Sequence, residues 1–166
     1  MKHTFMDKNH YYSLYASAHN NAVDLLSEAK LLFGGKHYAR AYFLALTALE
    51  EIAKSQMAAD VWTGFTNEGH LKSKFTKHGG KLDSVEWATL DAAEFCRDVK
   101  ITPPCVKKRM AALYTDVENG MVVSPSEQVS GEDAEAMIET VEVALRQIFI
   151  SEEVNGNQIG TKGFMK

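Results

Sequence analysis

Residues 41–54, AYFLALTALEEIAK, are apolar over most of their length and close on two adjacent carboxylates and a lysine. Between Arg40 and Glu50 the only ionisable side chain is that of Tyr42. A helix that is apolar around most of its circumference is buried by several neighbours or by a second subunit. Charged groups at the end of such a helix are costly unless they are paired or used. The sequence therefore predicts a central helix that ends in a polar site.

The chain of 166 residues is long enough for one domain with a hydrophobic core that needs neither a disulfide nor a metal. Cys96 and Cys105 follow neither a metal-binding nor a redox spacing, so we expect reduced thiols in a cytoplasmic protein. The sequence contains no signal-peptide pattern and no apolar run as long as a membrane span, so no membrane association is expected. We predict a single helical domain over residues 1–151 and a flexible C-terminal tail over residues 152–166.

Hydrophobic periodicity predicts a mostly helical chain of about four to five helices. The first helix is predicted over residues 9–33 and ends at the Gly34-Gly35 pair. The second is predicted over residues 37–61, and the short turn between the two makes them antiparallel. Further helices are predicted at residues 83–99, 104–113 and 130–149.

Two connecting segments are expected to be irregular. Residues 63–80 are polar and contain four glycines, which is typical of a loop. Within residues 114–130, Asn119-Gly120 favours a small hairpin turn. Ser130 is the expected N-cap of the last helix, with Asp133 in its first turn. The predicted fold class is all-α, a helical bundle with a short hairpin or irregular segment before the last helix.

The net charge of −4 hides an uneven distribution along the chain. Residues 70–109 carry nine Lys and Arg against five acids, which is a local excess of +4, and the remainder of the chain carries −8. A local basic surface on an acidic body can attract a polyanion. Lysines that are simply solvated around a loop give the same pattern, and charge patterning alone does not separate the two interpretations.

Two charged groups are candidates for a single polar site. Glu50, Glu51 and Lys54 close the apolar helix, and His78 and Lys81 flank a glycine pair farther along. Histidine exchanges protons near neutral pH, and glycines permit close approach of a phosphate. Glu50 and Lys54 also have the spacing of a simple surface ion pair, and His78 can be an uninvolved loop residue. No metal site and no cofactor are predicted, since the lysines compete for the same carboxylates.

Three segments, in this order, resemble the pattern of the AbiV-type abortive-infection proteins over about residues 20–150. They are ARAYFLALTALEEIAK, KHGGK and KKRMAALYTDVENGMVVSPSEQVSGEDAEAMIE. The first matches the family's alanine-rich helix ending in E-E-x-x-K, the second its H-x-x-K, and the third its basic segment, S-P pair and acidic last helix. That family resembles the broader HEPN group of small helical proteins, which often act as RNA-cleaving toxins and commonly dimerise.

The resemblance implies a HEPN-like bundle in an antiphage protein that arrests the infected cell by attacking RNA or translation. It implies a metal-independent endoribonuclease as the activity. Expected partners are RNA (rRNA, tRNA or mRNA), a second copy of the chain, and a phage-encoded activator or antitoxin protein. The catalytic candidates are His78, Glu50 and Glu51, and the phosphate- or RNA-binding candidates are Lys54, Lys81, Lys77 and Arg109.

One feature departs from the HEPN group. The ribonuclease motif of that group places an Arg four to six residues before a His, and no Arg in this chain has a His at that distance. Lys72 lies six residues before His78, but Lys lacks the bidentate phosphate grip of Arg. The alternatives are therefore a non-catalytic defence module that binds a phage or translation-associated protein, and an RNA or nucleotide binder without catalysis.

Overall fold

The computed structural model describes residues 7–69 and 108–148. In chain order, the elements are α1 (Lys8–Gly34), α2 (Tyr38–Trp62), β1 (Asp116–Glu118), β2 (Met121–Val123), α3 (Pro125–Gln128) and α4 (Gly131–Gln147). Residues 108–111 are also helical. The predicted all-α fold with a hairpin before the last helix is confirmed. The predicted helix at 83–99 and the predicted tail at 152–166 lie outside the described residues.

Helices α1 and α2 pack against each other along their lengths. The buried side chains of α1 recur at three- and four-residue spacings, as the periodicity predicts. They are Tyr11, Tyr15, Ala18, Ala22, Leu26 and Ala29. Ring contacts at both ends show that the two helices are antiparallel. Phe33 and Tyr38 lie 5.4 Å apart between ring centroids at one end, and Tyr12 and Trp62 lie 4.8 Å apart at the other.

Helix α2 is the central element of the described fold. Sixteen of its 25 residues are buried, because α1 covers one side and α4 packs against another. Seven of the sixteen are alanines, whose short side chains let neighbouring helices approach closely. Helix α4 contributes the buried residues Ala134, Met137, Ile138, Val141 and Ala144. Within residues 7–69 and 108–148, α1 and α4 provide the first of the two expected kinds of burial, that by neighbouring helices, and burial by a second subunit stays a prediction.

The turn between α1 and α2 differs in one respect from the prediction. Helix α1 ends at Gly34, as expected, but neither glycine of the pair takes the left-handed conformation. Lys36 takes it instead, with φ of 62°. The Lys36 N–H donates to the Phe33 carbonyl and the His37 N–H to the Leu32 carbonyl, each at 2.9 Å. These are the two hydrogen bonds of a Schellman motif, in which the left-handed residue is usually glycine.

The segment before α4 contains the predicted hairpin and a short helix that the sequence analysis missed. Asn119 and Gly120 have φ of 51° and 80°, as a two-residue type I′ turn requires. After β2, Ser124 is the N-cap of α3, and its N–H donates to the Glu127 carboxylate at 2.7 Å. The missed signal is the S-P-x-E sequence, which combines a cap, a proline at the first helical position and an acid three residues after the cap.

The predicted cap of the last helix is confirmed. The Ser130 hydroxyl accepts a hydrogen bond from the Asp133 N–H at 3.1 Å. In return, the Asp133 carboxylate accepts one from the Ser130 N–H at 2.9 Å. This reciprocal pair fixes the start of α4, and with it the direction in which the preceding segment approaches the helices.

Replacing Lys36 by glycine is expected to stabilise the protein. A residue with a Cβ is strained at this φ, and glycine is not, so Lys36→Gly should raise the free energy of unfolding by about 0.5–1 kcal/mol. Chemical denaturation of the two proteins measures the difference. Glu28→Gly, at an exposed position within α1, is the matched control and should lower the free energy of unfolding by a similar amount. A loss of stability in Lys36→Gly would contradict the assigned strain.

Candidate charged site on α2

One face of α2 carries the charged residues that the sequence analysis singled out. At about 100° per residue, seven side chains fall within roughly one third of the helix circumference. They are Arg40, Phe43, Leu44, Thr47, Glu50, Glu51 and Lys54. Arg40 is exposed, Glu50 is buried, and the other five are half-buried. The charged group expected at the end of the helix instead forms part of a continuous, partly covered face, and α2 continues past Lys54 to Trp62.

Glu50 is held by a cation from outside the helix. Its Oε1 lies 3.6 Å from Nε of Arg109, which belongs to the helical segment 108–111. The same guanidinium lies over Phe43, with Cζ 5.0 Å from the ring centroid. Phe43 and Glu50 are seven residues apart and share a face, so one arginine contacts both. Since the side chains of Arg109 and Glu50 are only 19% and 6% exposed, the ion pair is largely removed from water.

Glu51 is the partner of Lys54. The two side chains form an ion pair at i,i+3 spacing, with 14% and 26% of their surfaces exposed. The i,i+4 spacing had suggested Glu50 as the partner of this lysine. The structure thus gives the two adjacent carboxylates different partners, because residues 50 and 51 point about 100° apart on the helix.

The segment 108–111 is tied to two helices by adjacent cations. Lys108 forms an ion pair with Asp133 in the first turn of α4, while Arg109 reaches Glu50 on α2. Burial acts to raise the pKa of Asp133, but the hydrogen bonds from Lys108 and Ser130 outweigh it, and the pKa is lowered overall. The position of Arg109 at the site therefore depends on the cap of α4 as well as on Glu50.

A second group of polar residues lies farther along α2. Ser55, Gln56 and Asp60 are buried. The Ser55 hydroxyl donates to the Ile52 carbonyl at 2.7 Å, and Gln56 Nε2 donates to that hydroxyl at 3.2 Å. Within the described part of the chain, Gln56 Oε1 is buried without a hydrogen-bond partner. In the sequence, Gln56 lies one helical turn after Ile52 on the same side of the helix, and a polar residue among apolar ones at this spacing is the signal that could have identified this group.

A cavity of about 290 Å³ lies at the opposite end of α2. Lys36, His37 and Arg40 line one side of it, and Pro125, Ser126 and Val129 line the other. His37 is the N-cap of α2, and its side chain makes no capping hydrogen bond. No local sequence signal predicts this cavity, because its two sides come from segments almost ninety residues apart.

The structure brings together four of the predicted site residues and leaves three untested. Glu50, Glu51, Lys54 and Arg109 lie on or beside one face of α2. The other three, His78, Lys77 and Lys81, lie outside the described residues. Among the described residues, no group of three His, Cys, Asp or Glu side chains is placed to hold a metal ion.

The described helices, the hairpin and the charged face of α2 belong to a small, mostly helical protein, and this architecture fits a HEPN-like fold. A family model described as AbiV (HEPN_AbiV) matches residues 10–146. The chain belongs to the AbiV family, and this membership indicates a role in abortive-infection defence. No curated protein and no solved structure matches the chain. In the part of the chain that the structure describes, none of the helices is both long and apolar enough to cross a bilayer.

The pair of Arg109 and Glu50 is expected to contribute more to stability than the pair of Lys54 and Glu51. Double-mutant cycles with alanine should give a coupling of about 1–2 kcal/mol for the first pair and under about 0.5 kcal/mol for the second, which is nearer to water. Chemical denaturation of each single and double variant provides the four free energies of each cycle. Equal coupling energies in the two cycles would contradict the expectation that the more buried pair is the stronger one.

The ion pair of Asp133 predicts a pH dependence of stability. Because its pKa is lowered in the folded state, the ionised carboxylate stabilises the protein above its unfolded pKa of about 4, and this contribution is lost as the pH falls through the folded pKa. Asp133→Asn should therefore lower the free energy of unfolding by about 0.5–1 kcal/mol at neutral pH. The difference in the free energy of unfolding between Asp133→Asn and wild type should shrink as the pH falls below about 4. Glu132→Gln, in the same turn, is the control and should show a smaller loss.

Proposed function

We propose that the protein arrests the infected cell as a toxin that attacks RNA. Family membership supports the defence role. The observation that carries the RNA-directed part is the half-buried face of α2, where Glu50, Glu51, Lys54 and Arg109 place two carboxylates and two cations side by side. Partly desolvated charges interact more strongly than charges in bulk water, which suits the stabilisation of a reacting phosphate.

The proposed reaction is metal-independent cleavage of the RNA backbone. The 2′-oxygen loses its proton to a base and attacks the adjacent phosphorus, a P–O2′ bond forms, and the P–O5′ bond breaks as an acid protonates the leaving oxygen. The products are a 2′,3′-cyclic phosphate and a 5′-hydroxyl end. His78 is the proposed acid or base, with Glu50 or Glu51 as its orienting group or as the base. Lys54 and Lys81 are proposed to stabilise the charge on the phosphate.

The remaining proposed assignments concern Arg109 and Lys77. Arg109 is 19% exposed and contacts both Glu50 and Phe43, so we assign it to positioning Glu50 as well as to RNA binding. Lys77 is assigned to RNA binding. We also propose that the protein forms a homodimer, because α2 keeps a partly covered apolar face at Phe43 and Leu44. Its proposed location is the cytoplasm.

The second candidate function is that of a non-catalytic defence module. The absence of an Arg followed by a His at the HEPN spacing favours it, since the sequence then lacks that group's ribonuclease motif. In this case the charged face of α2 is structural, and arrest results from docking on a phage or translation-associated protein.

Mapping of RNA 5′ ends in infected cells tests the proposal. Wild-type protein should produce new, discrete ends that carry a 5′-hydroxyl. His78→Ala should reduce them by roughly 10²–10⁴-fold, as expected for loss of a general acid or base, and should abolish arrest. His10→Ala, at an exposed position on α1, is the control and should behave like wild type.

The same experiment separates the two candidates. Arrest by the wild type without new RNA ends would favour docking over cleavage. Arrest that persists in His78→Ala would exclude the proposed mechanism. Loss of arrest supports the mechanism when circular dichroism shows the same helix content in the variant and the wild type.

A further inference from the structure

The hairpin and the few residues before it concentrate the exposed apolar side chains of the described structure. Eight large hydrophobic residues are exposed among the described residues, five of them lie between residues 110 and 122, and three of those five are on the hairpin itself. The five are Met110, Tyr114, Val117, Met121 and Val122, with exposures of 53–72%. Scattered exposed hydrophobics are normal, but a cluster in one short segment marks an interaction surface.

The hairpin has little support within the described fold. Its register pairs Asp116 with Val123, Val117 with Val122, and Glu118 with Met121. Its sheet has only these two strands among the described residues, and they pack mainly against each other. A two-stranded hairpin is marginally stable alone in water, so a further strand on one edge would stabilise it.

The two edges of the hairpin differ in a way that selects one of them. The strand β1 carries Asp116 and Glu118, and such charges discourage edge pairing. The strand β2 carries no charge. In a hairpin with a two-residue turn, the residues that flank the turn form the hydrogen-bonded pair, so the N–H and C=O groups of the next residue point outward. That residue on β2 is Val122, and no other residue of the described ranges forms a hydrogen bond with its outward-pointing N–H and C=O groups.

Charge then restricts which partner can bind there. Residues 110–145 contain eight Asp and Glu and no Lys, Arg or His. On the hairpin and directly after it, Asp116, Glu118 and Glu127 are all exposed. This field repels RNA, and it also repels the same surface of a second copy of the chain. A basic polypeptide is attracted to it.

We propose that the edge of β2 and the face formed by Val117 and Val122 bind an extended segment of a partner protein that combines basic and apolar residues. The segment adds a strand beside β2, its apolar side chains cover the two valines, and its basic side chains approach Asp116 and Glu118. This surface goes beyond the RNA-directed site on α2 and does not depend on it.

A labelled peptide of alternating Lys and Val is the probe, and a peptide with Glu in place of Lys is its counterpart. Fluorescence anisotropy at low salt should show that the wild-type protein binds the Lys peptide at least roughly tenfold more tightly than the Glu peptide, and added salt should weaken this binding. Equal binding of both peptides, or of neither, would overturn the proposal.

Charge-reversal variants show whether the field is local. Asp116→Lys with Glu118→Lys should reduce binding of the Lys peptide by roughly tenfold or more. Asp24→Lys with Glu28→Lys, at exposed positions on α1, changes the net charge by the same amount and should leave binding near that of wild type. Equal losses in the two variants would show that net charge, and not the hairpin, is responsible.

Two further variants test the apolar and backbone contributions. Val122→Thr keeps a β-branched side chain but should weaken peptide binding several-fold, whereas Leu31→Thr, which replaces an exposed leucine of α1, should not. Amide hydrogen exchange should show that the Val122 N–H becomes protected when the peptide is bound. Protection confined to other regions would overturn the proposed edge. Self-association that is lost in Val122→Thr would also overturn it, because the occupant would then be a second copy.

Discussion

The burial of α2 on most of its circumference is the constraint on which the rest of the described structure depends. Its alanines let α1 and α4 approach closely, so a larger side chain at most of these positions would separate the helices. That arrangement leaves one face half-covered, and the ionisable residues Glu50, Glu51 and Lys54 are confined to it. The feature that builds the core therefore also leaves the partly covered face on which these three charged residues lie, whereas Asp60 is buried elsewhere on the helix.

The charges on that face are coupled to the fold as well as to the proposed chemistry. Arg109 contacts Glu50 and Phe43, while its neighbour Lys108 contacts Asp133 on α4, so a segment of four helical residues joins two helices through side-chain charge. Loss of activity after substitution of Arg109 or Glu50 would therefore not by itself identify a catalytic role. Glu51 and Lys54 are more exposed and lie only on α2, so their substitution separates chemistry from stability more cleanly.

The sequence was sufficient for the elements whose signals are local. Periodicity predicted α1 and α2 to within one residue, Asn119-Gly120 predicted the hairpin, and Ser130 predicted the start of α4. The partners of charged residues could not be predicted in this way. Spacing along α2 suggested that Lys54 pairs with Glu50, but Arg109, which is distant in sequence, lies beside Glu50. The cavity at the start of α2 could not be predicted for the same reason, since its two sides meet only in the folded chain.

The order of charges after α2 has a physical consequence for any polyanion that approaches the protein. Lys108 and Arg109 are followed by a long stretch with acids and no bases, and that stretch forms the hairpin, α3 and nearly all of α4. An RNA strand, the substrate proposed above, is therefore repelled from the hairpin and α4. A basic protein segment is instead attracted to the acidic hairpin and α4. If both proposals hold, RNA and a basic segment are thus favoured at different parts of the described structure, and binding of one does not block the other.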